Sequence, residues 1–366
     1  MSAPVYETRE EILTMTEETA TIERRTPNAE RRTPNAEPQE SPLISIIIPA
    51  YNCEKYIAQA LDSLINQDIP TRNYEIFITD DGSTDQTGTI CDTYAAKYPF
   101  IHTTHTDNHG QAHARNVSLA QCRGKYVTCC DSDDLVSPQL ISVLTQAINI
   151  FDAPDILVWN YTKHLPVEGF PKYDIQNMSR RDVDFCGAED MCIKIINVSD
   201  KVGGYPWNKC IKRSVIGSIL MNEKLFICED MYWLLEVLSN NKDARCCVMK
   251  YCLYCYMNYP DLLNTRKASK KYTSDGMGKH IPAFEACFDI PNLSRRTAEN
   301  LRGRLYWNSL GTLIKCVVKP SREVYARLRG NIRMYAGDFY FKSSNTILRK
   351  AAAIIIHILV LLHIHK

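Results

Sequence analysis

Three carboxylates fall within four positions where an apolar run ends: YVTCCDSDD carries Asp131, Asp133 and Asp134. Like charges so close repel, and each resists leaving water. Such a cluster is either a solvated turn or the seat of something positive. Asp-x-Asp suits Mg²⁺ or Mn²⁺, which take oxygen ligands. Mg²⁺ keeps several waters, so one or two carboxylates plus substrate phosphates complete its shell. An ion held this way neutralises a diphosphate leaving group. Alone, the motif reads as a solvated turn. A second acidic pair, Asp80-Asp81, closes the apolar run YEIFIT, and a third run, ISIII, ends in Pro49-Ala50-Tyr51-Asn52. Two acidic strand ends together favour the ion.

These residues need elements that bring them to one place. ISIIIPA is continuous and apolar, as in a strand buried on both faces. EKYIAQALDSLINQ follows, with Ile57, Ala60, Leu61, Leu64 and Ile65 at helical spacing. The alternation continues: strand YEIFITDD, a helix through Tyr94 with Ser83 as its cap, strand FIHTTHT, helix GQAHARNVSLAQC and strand GKYVTCC. Ser137-Pro138 reads as cap and first position of the next helix, and DILVWNY as a further strand. The pattern predicts an α/β fold, a mostly parallel sheet flanked by helices. In such sheets ligands sit beyond the carboxyl ends of the strands, which places the polar strand ends on one rim. No Gly-x-Gly-x-x-Gly follows the first strand and no Gly-Lys-Ser/Thr loop occurs, which disfavours dinucleotide dehydrogenases and P-loop enzymes.

Composition sets wider bounds. Of 366 residues 45% are apolar and 23% charged, ordinary for a globular protein. A net charge of +1 gives no argument for nucleic acid. The first forty residues hold ERRTPNA twice in tandem and read as a disordered extension over 1–42. They lack the apolar core of a signal peptide, so a cytoplasmic address with reduced thiols is expected. The fifteen cysteines sit mostly in apolar runs and read as buried thiols. His102, His105, His109 and His113 crowd one stretch without a fixed ligand geometry.

ISIIIPAYNCEKYIAQALDSLINQ, EIFITDDGSTDQT and GQAHARNVSLAQCRGKYVTCCDSDD, in that order, resemble the inverting glycosyltransferases of family 2. The likeness is close over 43–162 and looser to about 260, through PWNKCIKRSVI and FICEDMYWLLEVL. It implies a GT-A-like nucleotide-diphospho-sugar transferase fold over 43–260, with a nucleotide-sugar half, 43–162, and an acceptor half, 163–260. It further implies that Pro49, Ala50 and Tyr51 surround the base, and that Asp80 and Asp81 are the nucleoside-binding pair, with either one reaching the base. By the same likeness Arg115 lies near the diphosphate, and Asp131 and Asp133 hold Mg²⁺ or Mn²⁺, with Asp131 also near the nucleotide and Asp134 sharing the ion. Glu229-Asp230 matches the family's Glu-Asp pair. Asp230 is assigned as the base, with Glu229 and Trp207 on the acceptor side. Read without that likeness, Glu229-Asp230 is an acidic helix start and Trp207 is core.

Residues 261–366 read as a helical extension. From Arg295 to Lys366 there are fourteen Lys/Arg against three Asp/Glu, and the chain closes on an apolar run, Ala351–Ile364. Fourteen residues at about 1.5 Å each reach roughly 21 Å, short of a bilayer core of roughly 30 Å. The run suits a helix lying on the cytoplasmic face of the inner membrane, or one packed on the protein or a second copy. The multi-span region and Gln-x-x-Arg-Trp segment of processive family members are absent; Arg304-Leu-Tyr-Trp307 only approaches the latter. The expected reaction is therefore transfer of a single sugar from a nucleotide-diphosphate donor, a UDP-sugar, to a saccharide or lipid-linked saccharide in surface polysaccharide assembly. The rivals are a sugar nucleotidyltransferase, which wants a basic Gly-rich first loop, and a non-catalytic nucleotide-sugar-binding scaffold.

Overall fold

The computed structural model describes residues 41–339, apart from 166, 226, 258, 260–279 and 316–321. The tandem repeat and the apolar tail, with the expectations attached to them, lie outside the described residues.

β1 (Ile44–Ala50) runs between β2 (Tyr74–Asp81) and β4 (Tyr126–Cys129), parallel to both, and β3 (Ile101–Thr106) continues the parallel set beyond β2. Its uninterrupted isoleucines are explained by this central place. Ile44, Ile46 and Ile48 enter the core on one face, with Ile57, Leu61 and Leu64 of α1 (Ile57–Ile65). Ile47 points the other way, into a second core with Phe77 and Val127. The register pairs Ala50 with Asp80, and Asp80 with His105, so the first two strands end level on one rim. α2 (Thr87–Lys97) and α3 (Gln111–Gln121) are the crossovers that keep the four strands parallel.

The other half of the sheet is mixed, where the alternation predicted a mostly parallel one. After β5 (Leu135–Val136), α4 (Leu140–Ile150) and β6 (Ile156–Thr162) come β7 (Val183–Gly187), α5 (Ala188–Asn197), β8 (Lys209–Lys212), α6 (Arg213–Ile216), α7 (Glu229–Asn240) and β9 (Arg245–Cys255). β8 inserts antiparallel between β4 and β6, and β9 runs parallel to β6 but antiparallel to β5 and β7. β8 is only four residues long, and the strand pattern weakens after Lys163, which hid this half from pattern reading.

Two helix starts differ from expectation. Ser83 does not cap α2; its hydroxyl accepts the Asn52 N–H at 3.0 Å. α4 begins at Leu140, one turn beyond Ser137-Pro138. The helical extension contributes α8 (His280–Ala286), α9 (Arg295–Lys315) and α10 (Arg322–Gly337). It packs on the acceptor half: Asn300 on α9 accepts from Asn197 at 3.2 Å, and Arg296 pairs with Asp190 at 2.8 Å. No described helix is long and apolar enough to cross a membrane.

Candidate active site

The loop after β1 and the turn after β2 are stapled together, because each carries groups the other lacks. Asn52 adopts φ 45°, and its side-chain oxygen accepts the Thr84 N–H at 2.8 Å. Cys53 N–H donates to the Thr87 hydroxyl at 2.8 Å. Gly82, at φ +71°, turns the chain where a Cβ would lie 2.8 Å from the Asn108 amide.

The two acids of the β2 end point apart, as neighbours on a strand must. Asp80 faces β3 and α2: its carboxylate meets His105 Nδ1 at 2.9 Å and accepts the Ser83 N–H at 3.1 Å. Asp81 faces the rim, where it accepts the His109 and Gly110 N–H groups at 2.9 and 2.8 Å. Of the pair, Asp81 lines the cleft and Asp80 does not.

That cleft has a volume of about 420 Å³, within the usual range for small-molecule sites. Pro49, Ala50, Tyr51, Asp81, Asp131 and Asp133 all contribute to its wall. Tyr51 is half exposed there, at 50%. Thus three of the expected acids and the whole β1 loop meet, although they come from segments eighty residues apart.

Asp134 does not join them. It is fully buried behind the rim, accepting the Tyr254 hydroxyl at 2.7 Å and the Met257 N–H at 2.7 Å. Burial, reinforced by the Asp131 and Asp133 charges, pushes its carboxyl up to about 8. Among the described residues no three His, Cys, Asp or Glu side chains are grouped to hold a metal. Of the three carboxylates expected to share an ion, Asp131 and Asp133 therefore face the cleft and Asp134 faces the interior. A pH dependence follows. The folded carboxyl keeps its proton to about pH 8, whereas an unfolded one loses it near ~4. Stability then falls as pH rises between these values. Thermal unfolding across pH 5–8.5 should show this fall, and Asp134→Asn should flatten part of it; an unchanged slope refutes the assignment.

Arg115, on α3, is 3% exposed and spends its guanidinium on two acids. Nη2 meets Asp131 at 2.9 Å and Nη1 meets Glu229 at 3.4 Å. Burial works against its charge, but Asp131 and other nearby acids outweigh it and raise its pKa. The likeness implied a place near the diphosphate; the geometry makes Arg115 the link between the Asp131 strand end and α7. Glu229 is buried and also accepts from Gln111. Asp230 follows it, half-buried, holding the Met231 N–H at 2.7 Å. Burial first, then the Glu229 charge, push Asp230 up to about 7, against the pull of Arg115. A carboxylate so poised is a usable base near neutral pH.

Trp207 is not an open platform. It is 3% exposed, stacked on Tyr254 at 4.5 Å and on Tyr205 at 4.9 Å. The histidines disperse among partners: His102 stacks on Phe77, His105 bridges Asp80 and Asp92, and His113 meets Glu223 at 3.2 Å. Gln111, Tyr254 and Lys209 were missed as supports of this site. Gln111 and Tyr254 act across 118 and 123 positions, which no local pattern encodes, and Lys209 acts on its own loop through a buried ammonium that the sequence does not mark.

Residues 45–186 match the family model described as Glycosyl transferase family 2. Glycosyltransferase GlyG of Streptococcus pneumoniae is 32% identical over 169 residues, 46% of this chain and 53% of that protein. Poly(ribitol-phosphate) beta-N-acetylglucosaminyltransferase TarS of Staphylococcus aureus is 40% identical over 98 residues, 26% of this chain and 17% of its own length. The matches thus span about half the length of these curated relatives, or less. The crystal structure of S. aureus TarS 1-349 in complex with UDP-GlcNAc superposes with a TM-score of 0.60 at 20% identity, over 81% of each chain. The fold is that of the GT-A transferases.

Proposed function

We propose that the protein is an inverting glycosyltransferase that moves one sugar from a nucleotide-diphosphate sugar, a UDP-sugar, to a hydroxyl of a saccharide or lipid-linked saccharide. The observation that carries this is the convergence of Asp81, Asp131 and Asp133 on one cleft, joined through Arg115 to the Glu229-Asp230 pair. The relatives named above, transferases by name, support the class of reaction. Membrane contact through the basic, apolar tail and a role in surface polysaccharide assembly belong to the same proposal.

In this reading Tyr51, Pro49 and Ala50 enclose the base, and Asp81, fixed by two backbone amides, holds the nucleoside. Asp131 and Asp133 fit Mg²⁺ or Mn²⁺: they are two cleft-facing carboxylates, with the remaining oxygens left to phosphates and water. Such an ion supplies charge neutralisation of the departing diphosphate. Arg115 takes one Asp131 oxygen and so orients this carboxylate. Asp230 removes the proton of the acceptor hydroxyl as that oxygen bonds to the anomeric carbon, and the carbon–oxygen bond to the diphosphate breaks on the opposite face.

Calorimetry with UDP, with and without Mn²⁺, together with release of UDP from a panel of UDP-sugars, tests the proposal. Asp133→Ala should remove the Mn²⁺-dependent part of UDP binding while leaving the fold intact. Wild-type protein that binds no UDP in Mn²⁺ or Mg²⁺ overturns the reading.

A further inference from the structure

The aromatic stack beside Asp230 ends in a ring that faces solvent. Trp207 is enclosed by Tyr205 and Tyr254, with Tyr161 edge-on at 4.8 Å. Tyr205 lies nearly parallel to the indole, 14° from it, and is 36% exposed. Tyr161 also meets Tyr205 edge-on, at 6.3 Å. A large ring that is backed by an indole, braced at its edge and left open is a ready-made apolar surface.

Its loop is held by unusual means. Lys209 is 1% exposed, and its ammonium donates to Gly203 O, Tyr205 O and Asn208 Oδ1, each at 2.7 Å. Burial pulls this lysine down to about 7 although Asp230 opposes the shift. Burying an ammonium is costly, and here it fixes the backbone of a residue whose side chain lies at the surface. Gly204 presses on α7, where a Cβ would lie 2.6 Å from the Met231 Cβ; Gly203 lies under the Tyr205 ring, 2.5 Å from it by the same measure. Met231 follows Asp230 in the first turn of α7, so the loop that carries Tyr205 packs on the turn that carries the base. The Asp230 charge also contributes to raising the Tyr205 phenol, after burial and Tyr161.

We propose that the exposed ring of Tyr205 is the acceptor platform, and that it takes a β-linked pyranose whose axial C–H face packs on the ring while a hydroxyl turns to Asp230. A β-glucopyranoside presents H1, H3 and H5 on one face. An α-glycoside puts an axial oxygen on that face and is left with the smaller H2 and H4 face. The inference rests on the transferase reading but names the acceptor class, and it moves the role expected of Trp207 to the ring that covers it.

The test uses the full chain with UDP and Mn²⁺, and methyl β-D-glucopyranoside as probe. Saturation-transfer NMR should show the strongest transfer at H1, H3 and H5, with the α-anomer weaker. Tyr205→Ala should raise the Kd of the β-glucoside about tenfold, while Tyr205→Phe and Tyr205→Trp stay near wild type. UDP affinity should be unchanged in all three, which separates loss of the platform from misfolding. No β-glucoside signal in wild type, equal binding of the two anomers, or an unaffected Tyr205→Ala overturns the platform. Loss of UDP binding by wild type would instead strike the transferase reading.

Discussion

Asp230→Asn is expected to lower the rate of sugar transfer by about 10³-fold, with UDP affinity unchanged. The side chain keeps its size, and its oxygen can still accept the Met231 N–H, so the start of α7 is preserved. What disappears is the proton acceptor. The wild-type pH profile should report the same group. Asp230 works as a base only when ionised, and its environment places that ionisation at about 7. Transfer should therefore fall about tenfold per pH unit below this value and level off above it. Initial rates with Mn²⁺ and a UDP-sugar across pH 5.5–9 measure both effects. A variant with near-normal turnover, or a rising limb near pH 4, places the base elsewhere.

How much of this was readable from residues depends on how local each signal is. β1 and α1 were legible because burial on two faces demands a continuous apolar run, and one-sided packing demands the spacing of Ile57, Ala60, Leu61 and Leu64. The rim was legible because parallel strands joined by helices end on one side. Which acid turns toward the cleft was not. Asp80 and Asp81 are adjacent and alike, and only the partners across the sheet decide: His105 takes one, and the amides of His109 and Gly110 take the other. The family likeness gave Asp134 a share of the ion, yet Tyr254 and Met257, 120 and 123 residues on, draw it inward. Trp207 was placed on the acceptor side by the family likeness, while its apolar neighbourhood read as core. Its burial under Tyr205 follows from Gly203-Gly204 and the buried Lys209, whose meaning appears only when the loop is seen against α7.

Arg115 joins the two halves of the site, and its removal should be the most damaging single change. Arg115→Met keeps length and apolar volume but leaves Asp131 without its guanidinium partner and Glu229, 2% exposed, with only Gln111 opposite. Removing one partner of a buried ion pair costs about 3–5 kcal/mol, since the desolvated charge remains. Urea unfolding should show a loss of that order. Arg115→Lys should recover only part of it, because a single ammonium cannot bridge carboxylates on two elements as the planar fork does. The kinetic signature separates positioning from bulk stability. Arg115 is the charge that pulls Asp230 down. Without it the rising limb of the pH profile should move above pH 7, even at temperatures where the variant is fully folded. A variant that is destabilised but keeps its limb in place would show that Arg115 braces the fold without tuning the base.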